Sequence, residues 1–180
     1  MVSPELLAAC RRGDRQAFEE LVRLTHRKVY ALAYRLVEDR SDAEDVAQEA
    51  YLRMYRGLAG YREEARLETW MYRIVANCAM TQLRKRGRFG QVTSDADLDL
   101  PAPDRSSERA VDRGDLERAL ALLPPGQRVA VLLKDVYGLS VREIAEELGV
   151  EEGAVKVRLH RGRKRLAEQL TAGDERAGEL

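Results

Sequence analysis

The densest run of chemistry in this sequence is cationic. Lys156, Arg158, Arg161, Arg163, Lys164 and Arg165 fall within ten residues, with no acid between Glu152 and Glu168. Ammonium and guanidinium groups at this density suit phosphate oxygens, and an arginine can also donate two hydrogen bonds to a guanine edge in the major groove. The spacing places Lys156, Arg158 and Arg161 near one face of a helix, opposite Val155 and Leu159, with Arg161 the foremost candidate for a base contact. Lys164 and Arg165 lie further along and are expected to meet phosphates.

Such a helix needs a partner to aim it. Val141, Ile144, Ala145 and Leu148 recur at spacings of three and four, which predicts a short preceding helix with one apolar face. Gly149 supplies the left-handed conformation that ends a helix at little cost, Val150 anchors the turn, and Val155 and Leu159 return an apolar face. Ala145 allows a close crossing. Helix, tight turn and basic helix together make a DNA-binding helix-turn-helix.

The chain around it is balanced in charge. It has 180 residues, 31 basic and 31 acidic, so the cations are local and a second partner with a taste for acidic or mixed surface is implied. Charged residues are 34% and aromatics 6%, a helical composition. Cys10 and Cys78 share no Cys-x-x-Cys spacing, and His26 and His160 have no helical ligand partner, so buried thiols are expected rather than a disulfide framework or a metal site. No apolar run is long enough for a membrane span, and the first residues do not form a signal peptide, so a soluble cytoplasmic protein without membrane insertion is expected. No nucleophile-base pairing, carboxylate pair or phosphate-binding glycine loop stands out, so neither catalysis nor a cofactor is expected.

The pattern is all-α, with two small helical domains joined by a flexible acidic linker. Ser3 and Pro4 open a short helix to about Arg12. Phe18, Leu21, Val22, Thr25, Val29, Leu32, Ala33 and Leu36 make a second, and Ser41-Asp-Ala-Glu44 reads as a capping box for a third running to Leu58. A loop from Tyr61 to Glu68 precedes a helix capped by Thr69. These elements form a first domain, 1–88. Residues 89–113 hold Asp95, Asp97, Asp99 and Asp104 with Pro101 and Pro103, the composition of a linker. The second domain is 114–170, with a helix from Gln127 to Tyr137 before the helix-turn-helix, and a frayed polar tail at 171–180.

With these motifs in view, the chain resembles the extracytoplasmic-function (ECF) sigma factors of bacterial RNA polymerase, in the sigma-70 family. The likeness rests on Asp42-Ala-Glu-Asp-Val-Ala-Gln-Glu49, Tyr51-Leu-Arg-Met-Tyr-Arg56 and Thr69-Trp-Met-Tyr-Arg-Ile-Val-Ala-Asn77. In the second half it rests on Leu122-Leu-Pro-Pro125, Leu139-Ser-Val-Arg-Glu-Ile-Ala-Glu-Glu-Leu-Gly149 and Gly153-Ala-Val-Lys-Val-Arg-Leu-His-Arg161. The resemblance implies that Asp42, Glu44, Asp45, Gln48, Glu49 and Arg53 dock on the beta-prime clamp of core polymerase, whose beta flap is a further partner. It implies that Tyr61, Trp70, Arg73 and Asn77, with Arg84, Lys85, Arg86 and Arg88, serve recognition and melting of the minus-ten promoter element. Trp70 also reads as a core residue. Lys156, Val157, Arg158, His160, Arg161, Lys164 and Arg165 match the reader of the duplex minus-thirty-five element. Ala154, Val157 and Thr81 stand where threonine, serine and aspartate are frequent in the family; Val157 can touch a thymine methyl. An anti-sigma protein is a further partner that the family implies.

Two other classes fit parts of the pattern. A receiver-type regulator would need alternating strands and a strand-end aspartate, which the sequence lacks, and a helical adaptor would use the basic helix without sequence preference. Limited proteolysis of the free chain is expected to cut first between Gln91 and Ser107 and to release two helical fragments; first cuts inside 42–58 or 140–165 would contradict this layout.

Overall fold

The computed structural model describes residues 2–63, 66–93 and 115–177, and the chain divides into two units, Met1–Gly87 and Arg88–Leu180. Its elements are all helical among the described residues: α1 (Pro4–Arg11), α2 (Arg15–Val37), α3 (Arg40–Gly57), a 3-10 turn (Leu58–Gly60), α4 (Leu67–Lys85), α5 (Phe89–Thr93), α6 (Asp115–Ala121), α7 (Pro125–Val131), a π turn (Leu132–Val136), α8 (Val141–Leu148) and α9 (Glu152–Ala177). All but the first five residues of the expected linker 89–113 lie outside the described residues. Those five form α5, which belongs to the second unit.

The first unit is a bundle of α2, α3 and α4, closed at one end by α1. Ser3 caps α1 through its hydroxyl, which accepts from the Leu6 amide at 3.2 Å. Asp14 caps α2 in the same way, from Ala17 at 3.1 Å. Such caps satisfy amides that the first helical turn leaves unpaired. The core is Leu21, Val29, Leu32, Ala33 and Leu36 of α2 against Ala43, Val46, Ala47, Ala50 and Met54 of α3 and Met71, Val75, Ala76, Ala79, Met80 and Leu83 of α4. Each large aliphatic side chain buried in this way contributes about 1.5–3 kcal/mol. Cys10, Ala17, Leu21 and Leu58 form the cluster under α1, against which Phe18 and Trp70 pack. Cys10 and Cys78 are both free and buried.

Two helix starts differ from expectation. Asp39, not Ser41, caps α3: its carboxylate accepts from the Asp42 amide at 3.0 Å. Glu38 ends α2 in the left-handed conformation, so the chain has already turned by Asp39 and the earlier residue takes the cap. α4 begins at Leu67, before Thr69, with no side-chain cap at Arg66. Lys28 of α2 instead holds its first turn, with Nζ 2.7 Å from Glu68 Oε1.

In the second unit the segment expected as one helix from Gln127 to Tyr137 is α7 followed by a π turn, in which the Tyr137 amide donates to the Leu132 carbonyl at 3.1 Å. Ser140 then forms a reciprocal capping box with Glu143: its hydroxyl accepts from the Glu143 amide at 3.2 Å, and its own amide donates to Glu143 Oε2 at 2.7 Å. Gly149 ends α8 with φ +66°, as the sequence requires. The Val150 amide closes the turn on the Ala145 carbonyl at 3.1 Å. α9 continues through the expected tail to Ala177; Gly173 alone costs only about 1 kcal/mol of helix propensity and is no stop.

α9 crosses α7 closely at Gly162. A Cβ there would lie 2.8 Å from Val131 Cγ2, 3.3 Å from Gln127 Cβ and 3.4 Å from the Gln127 carbonyl oxygen. Val131 is buried and its branched side chain has no room to swing. Gly162→Ala gains about 1 kcal/mol of helix propensity but overpacks the crossing by about 1–3 kcal/mol. The expected result is a net loss, with Tm lowered by roughly 4–8 °C per kcal/mol, measured by thermal circular dichroism.

Candidate functional site

Three surfaces collect the residues singled out from the sequence. On the first unit, Glu44, Asp45, Gln48, Glu49 and Arg53 all stand exposed along α3. Glu49 Oε1 accepts from Arg53 Nε at 2.7 Å, and that hydrogen bond holds the Glu49 carboxyl below the usual carboxylate range. Asp45, Glu49 and Arg53 share a groove with Gln82 and Lys85 of α4, so Lys85 joins this face.

Asp42 does not belong to that exposed face. It is 2% exposed and accepts from Gln82 Nε2 at 2.8 Å and from Arg86 Nη2 at 2.8 Å. It ties the start of α3 to the end of α4. It is correctly placed on α3 but turned inward, because a carboxylate in the first turn of α3 meets the last turn of α4 there.

The structure adds residues that sequence reasoning missed. His26, Tyr30 and Tyr34 of α2 form a ladder of near-parallel rings, with centroids 6.2 Å and 6.4 Å apart. His26 and Tyr30 line a groove of about 440 Å³ with Glu44, Ala47, Gln48 and Tyr51. The signal in the sequence is rings four residues apart, one helical turn.

Along α4, Trp70, Arg73, Asn77 and Arg84 form one stripe at spacings of three, four and seven, which return to nearly the same angle on a helix. Asn77 and Arg84 are exposed and Arg73 is half-buried. Arg84, Lys85 and exposed Arg86 put positive charge at the helix C-terminus, where the macrodipole favours it, and Arg88 follows half-buried. Trp70 is half-buried, with Gly57 open beneath it: a Cβ on Gly57 would lie 3.2 Å from the indole. Tyr61 was expected as a surface for bases; instead it is 6% exposed and packs on Trp70 with ring centroids 5.2 Å apart. Burial pushes its phenol up. Tyr61 therefore supports Trp70 rather than offering its own face.

On the second unit, α9 presents Lys156, Val157, His160 and Lys164 outward, with Arg161 and Arg165 half-buried. Arg158 is a correction. It is 0% exposed, and its Nη2 donates to the Thr93 carbonyl at 2.6 Å. At about 100° per residue it lies roughly 200° round the helix from Lys156, so the two cannot share a reading face. Arg163 is engaged by both carboxylate oxygens of Asp135 from the π turn. Arg163 still lines one groove with Lys156, His160 and Lys164, and Lys134 of the same turn joins them there, an added cation that no periodic pattern marked. Among the described residues no cluster of His, Cys, Asp and Glu could hold a metal, and no helix is long and apolar enough to cross a membrane.

The exposed residues gather into a polar face on α3, a stripe on α4 and a cationic face on α9. The Sigma-70 region 2 profile matches residues 21–89, and the Sigma-70, region 4 profile matches residues 113–166. The chain is 39% identical over 168 residues to the ECF RNA polymerase sigma factor SigM of Mycobacterium tuberculosis, covering 92% of this chain and 83% of SigM. It is 40% identical over 166 residues to the ECF RNA polymerase sigma factor SigE of Mycolicibacterium smegmatis, covering 88% of this chain and 64% of SigE. It is also similar to the sigma factor RpoE of Bartonella quintana, solved in complex with the anti-sigma factor NepR, with a TM-score of 0.57, 28% identity and coverage of 86% and 96% of the two chains. With both halves matched in order and the likeness running through most of its length, the chain belongs to the ECF sigma factors of the sigma-70 family.

Proposed function

We propose that this chain acts in the bacterial cytoplasm as a transcription initiation factor: it binds core RNA polymerase, directs it to promoters and helps open the DNA. The observation that carries the reading is the pairing, in one chain, of a region 2 unit bearing the exposed α3 face with a region 4 unit bearing the basic helix α9. The polymerase supplies all covalent chemistry; this chain contributes binding and strand separation. Glu44, Asp45, Gln48, Glu49 and Arg53 dock on the beta-prime clamp, where charge complementarity sets on-rate and register. The second unit meets the beta flap. A protein anti-sigma factor is the expected regulator, since the Bartonella relative was solved with one.

Promoter contacts divide by chemistry. Asn77 offers a donor and an acceptor to an unstacked base. Trp70 backs it, and Arg73, Arg84, Arg86 and Arg88 supply the cationic rail that single strands follow. On duplex DNA, Val157 meets a thymine methyl, His160 and Arg161 address base edges, and Lys156 and Lys164 meet phosphates.

Core-dependent run-off transcription from a promoter library tests the reading: promoter-specific starts are expected, and their absence would reject it. Glu49→Lys is expected to weaken core binding about 3- to 30-fold with unchanged helicity, because the exposed Glu49–Arg53 pair it breaks is worth at most about 0.5 kcal/mol. Undiminished affinity in a direct titration would remove the α3 face from the docking surface. In duplex binding at two salt concentrations, Arg161→Ala is expected to flatten preference at one minus-thirty-five position by about 1–3 kcal/mol. Lys164→Ala is expected to weaken all sequences equally and lower the salt slope by about one.

A further inference from the structure

The five residues after Arg88 are linker by composition but not by packing. α5 contacts α7, its Val92 is 2% exposed, and its Thr93 carbonyl is held at 2.6 Å by the fully buried Arg158 of α9. We propose that α5 is an intramolecular latch: docked on α7 and α9 it shortens the tether between the two units below what a promoter demands, and its release is a step in forming the active polymerase complex. The proposal rests on the sigma-factor reading above.

Chain length makes the case. With α5 docked, only Arg86, Gly87 and Arg88 lie between it and Lys85, the end of α4. Four virtual bonds reach roughly 14 Å at full extension. Adding about 15 Å for the radius of each unit gives a centre-to-centre reach of roughly 45 Å. The two promoter elements are named for positions about 25 base pairs apart, roughly 85 Å of duplex at about 3.4 Å per pair. With α5 released, the stretch from Lys85 to Asp115 can extend to roughly 100 Å.

The contact has the character of a reversible device. A five-residue helix is far too short to persist alone, so α5 exists as a helix only while docked and becomes additional linker on leaving. Its hold includes one buried valine and one charge-assisted hydrogen bond to a backbone carbonyl. Both can be lost without dismantling the crossing of α7 and α9. Arg158 thereby gains a role that its burial required and DNA reading could not supply. A latched population lowers the fraction of chains competent to bind, and the apparent dissociation constant is the intrinsic one divided by that fraction.

The test compares the full-length wild type with Val92→Lys, which places a cation at a buried apolar position, and with Arg158→Ala, which removes the donor. Small-angle scattering of the free chains should show a larger maximum dimension for both variants. Titration of each into core polymerase, read by run-off transcription, should show half-saturation at about 3- to 10-fold lower concentration than wild type. Unchanged dimensions in variants that keep their helicity would overturn the latch, and so would expansion without tighter holoenzyme formation. A readout free of mutation stands beside these. Amide exchange over residues 90–93 in the wild type should be slower in the free chain than in the polymerase complex, and equal rates would overturn the proposal even if both variants failed to fold. If polymerase bound neither wild type nor variants, the sigma-factor reading itself would fall, while scattering would still report whether α5 is docked.

Discussion

The rotational phase of α9 decides what the second unit can offer to a duplex. It is set where the bare backbone of Gly162 lies against Val131 and Gln127 of α7 and where Val155 and Leu159 are buried. A helix has only one free rotation about its axis, and these contacts use it up. Once they are made, Lys156, Val157, His160 and Lys164 must face outward and Arg158 must face inward. Asp135 then pairs with Arg163 from the π turn, while Lys134 brings another cation to the edge of the same face. The reading face follows from a packing constraint on its opposite side.

The first unit divides its polar residues along similar lines. Within one turn of α3, Asp42 is buried in contacts with Gln82 and Arg86, while Glu44 and Asp45 are exposed. The inward carboxylate holds the helices at a fixed angle, and the outward ones are left for a partner. Trp70 shows the same economy. Gly57 and Tyr61 give the indole a floor and a wall, so that a large side chain on α4 is held in place while remaining half-exposed. Both cases fit a surface that must be rigid before it binds, because side chains already immobilised lose less entropy on association.

The readability of these features from sequence tracked the range of the interactions behind them. The cap at Ser3, the left-handed Gly149, the apolar face of α8 and the two-module layout of helices are local or periodic and could be read directly. The rule that pairs a serine with a glutamate three residues on matched at both Ser41 and Ser140, but the box formed only at Ser140; at Ser41 an acid two residues earlier had already taken the cap. That competition depends on where α2 stops, which the pattern of α3 does not contain. Arg158, Asp42 and Tyr61 were each sound as residue types and wrong as exposed groups, since burial is set by a helix distant in sequence. The helix at 89–93 was out of reach for the same reason: Val92 has no periodic neighbours, and its burial depends on contact with α7. The ladder of His26, Tyr30 and Tyr34 was periodic and visible, and was missed because a histidine was asked only about metals.

One buried contact bears on how α2 and α3 find each other. The Thr25 hydroxyl bonds the Leu21 carbonyl at 2.7 Å and meets the Tyr51 hydroxyl at 3.0 Å, inside an otherwise apolar seam. An apolar seam alone is permissive: sliding one helix past the other by a turn, about 5.4 Å, would still bury leucine against alanine. The two hydroxyls are not permissive: in a slipped register Thr25 keeps its bond to the Leu21 carbonyl, but the Tyr51 hydroxyl loses its partner, at a cost of about 1–3 kcal/mol where it stays buried. The pair therefore acts as an indexing mark between two smooth surfaces. It adds little to the depth of the native minimum but raises its nearest competitors, and so makes one alignment of α2 and α3 the one the chain keeps.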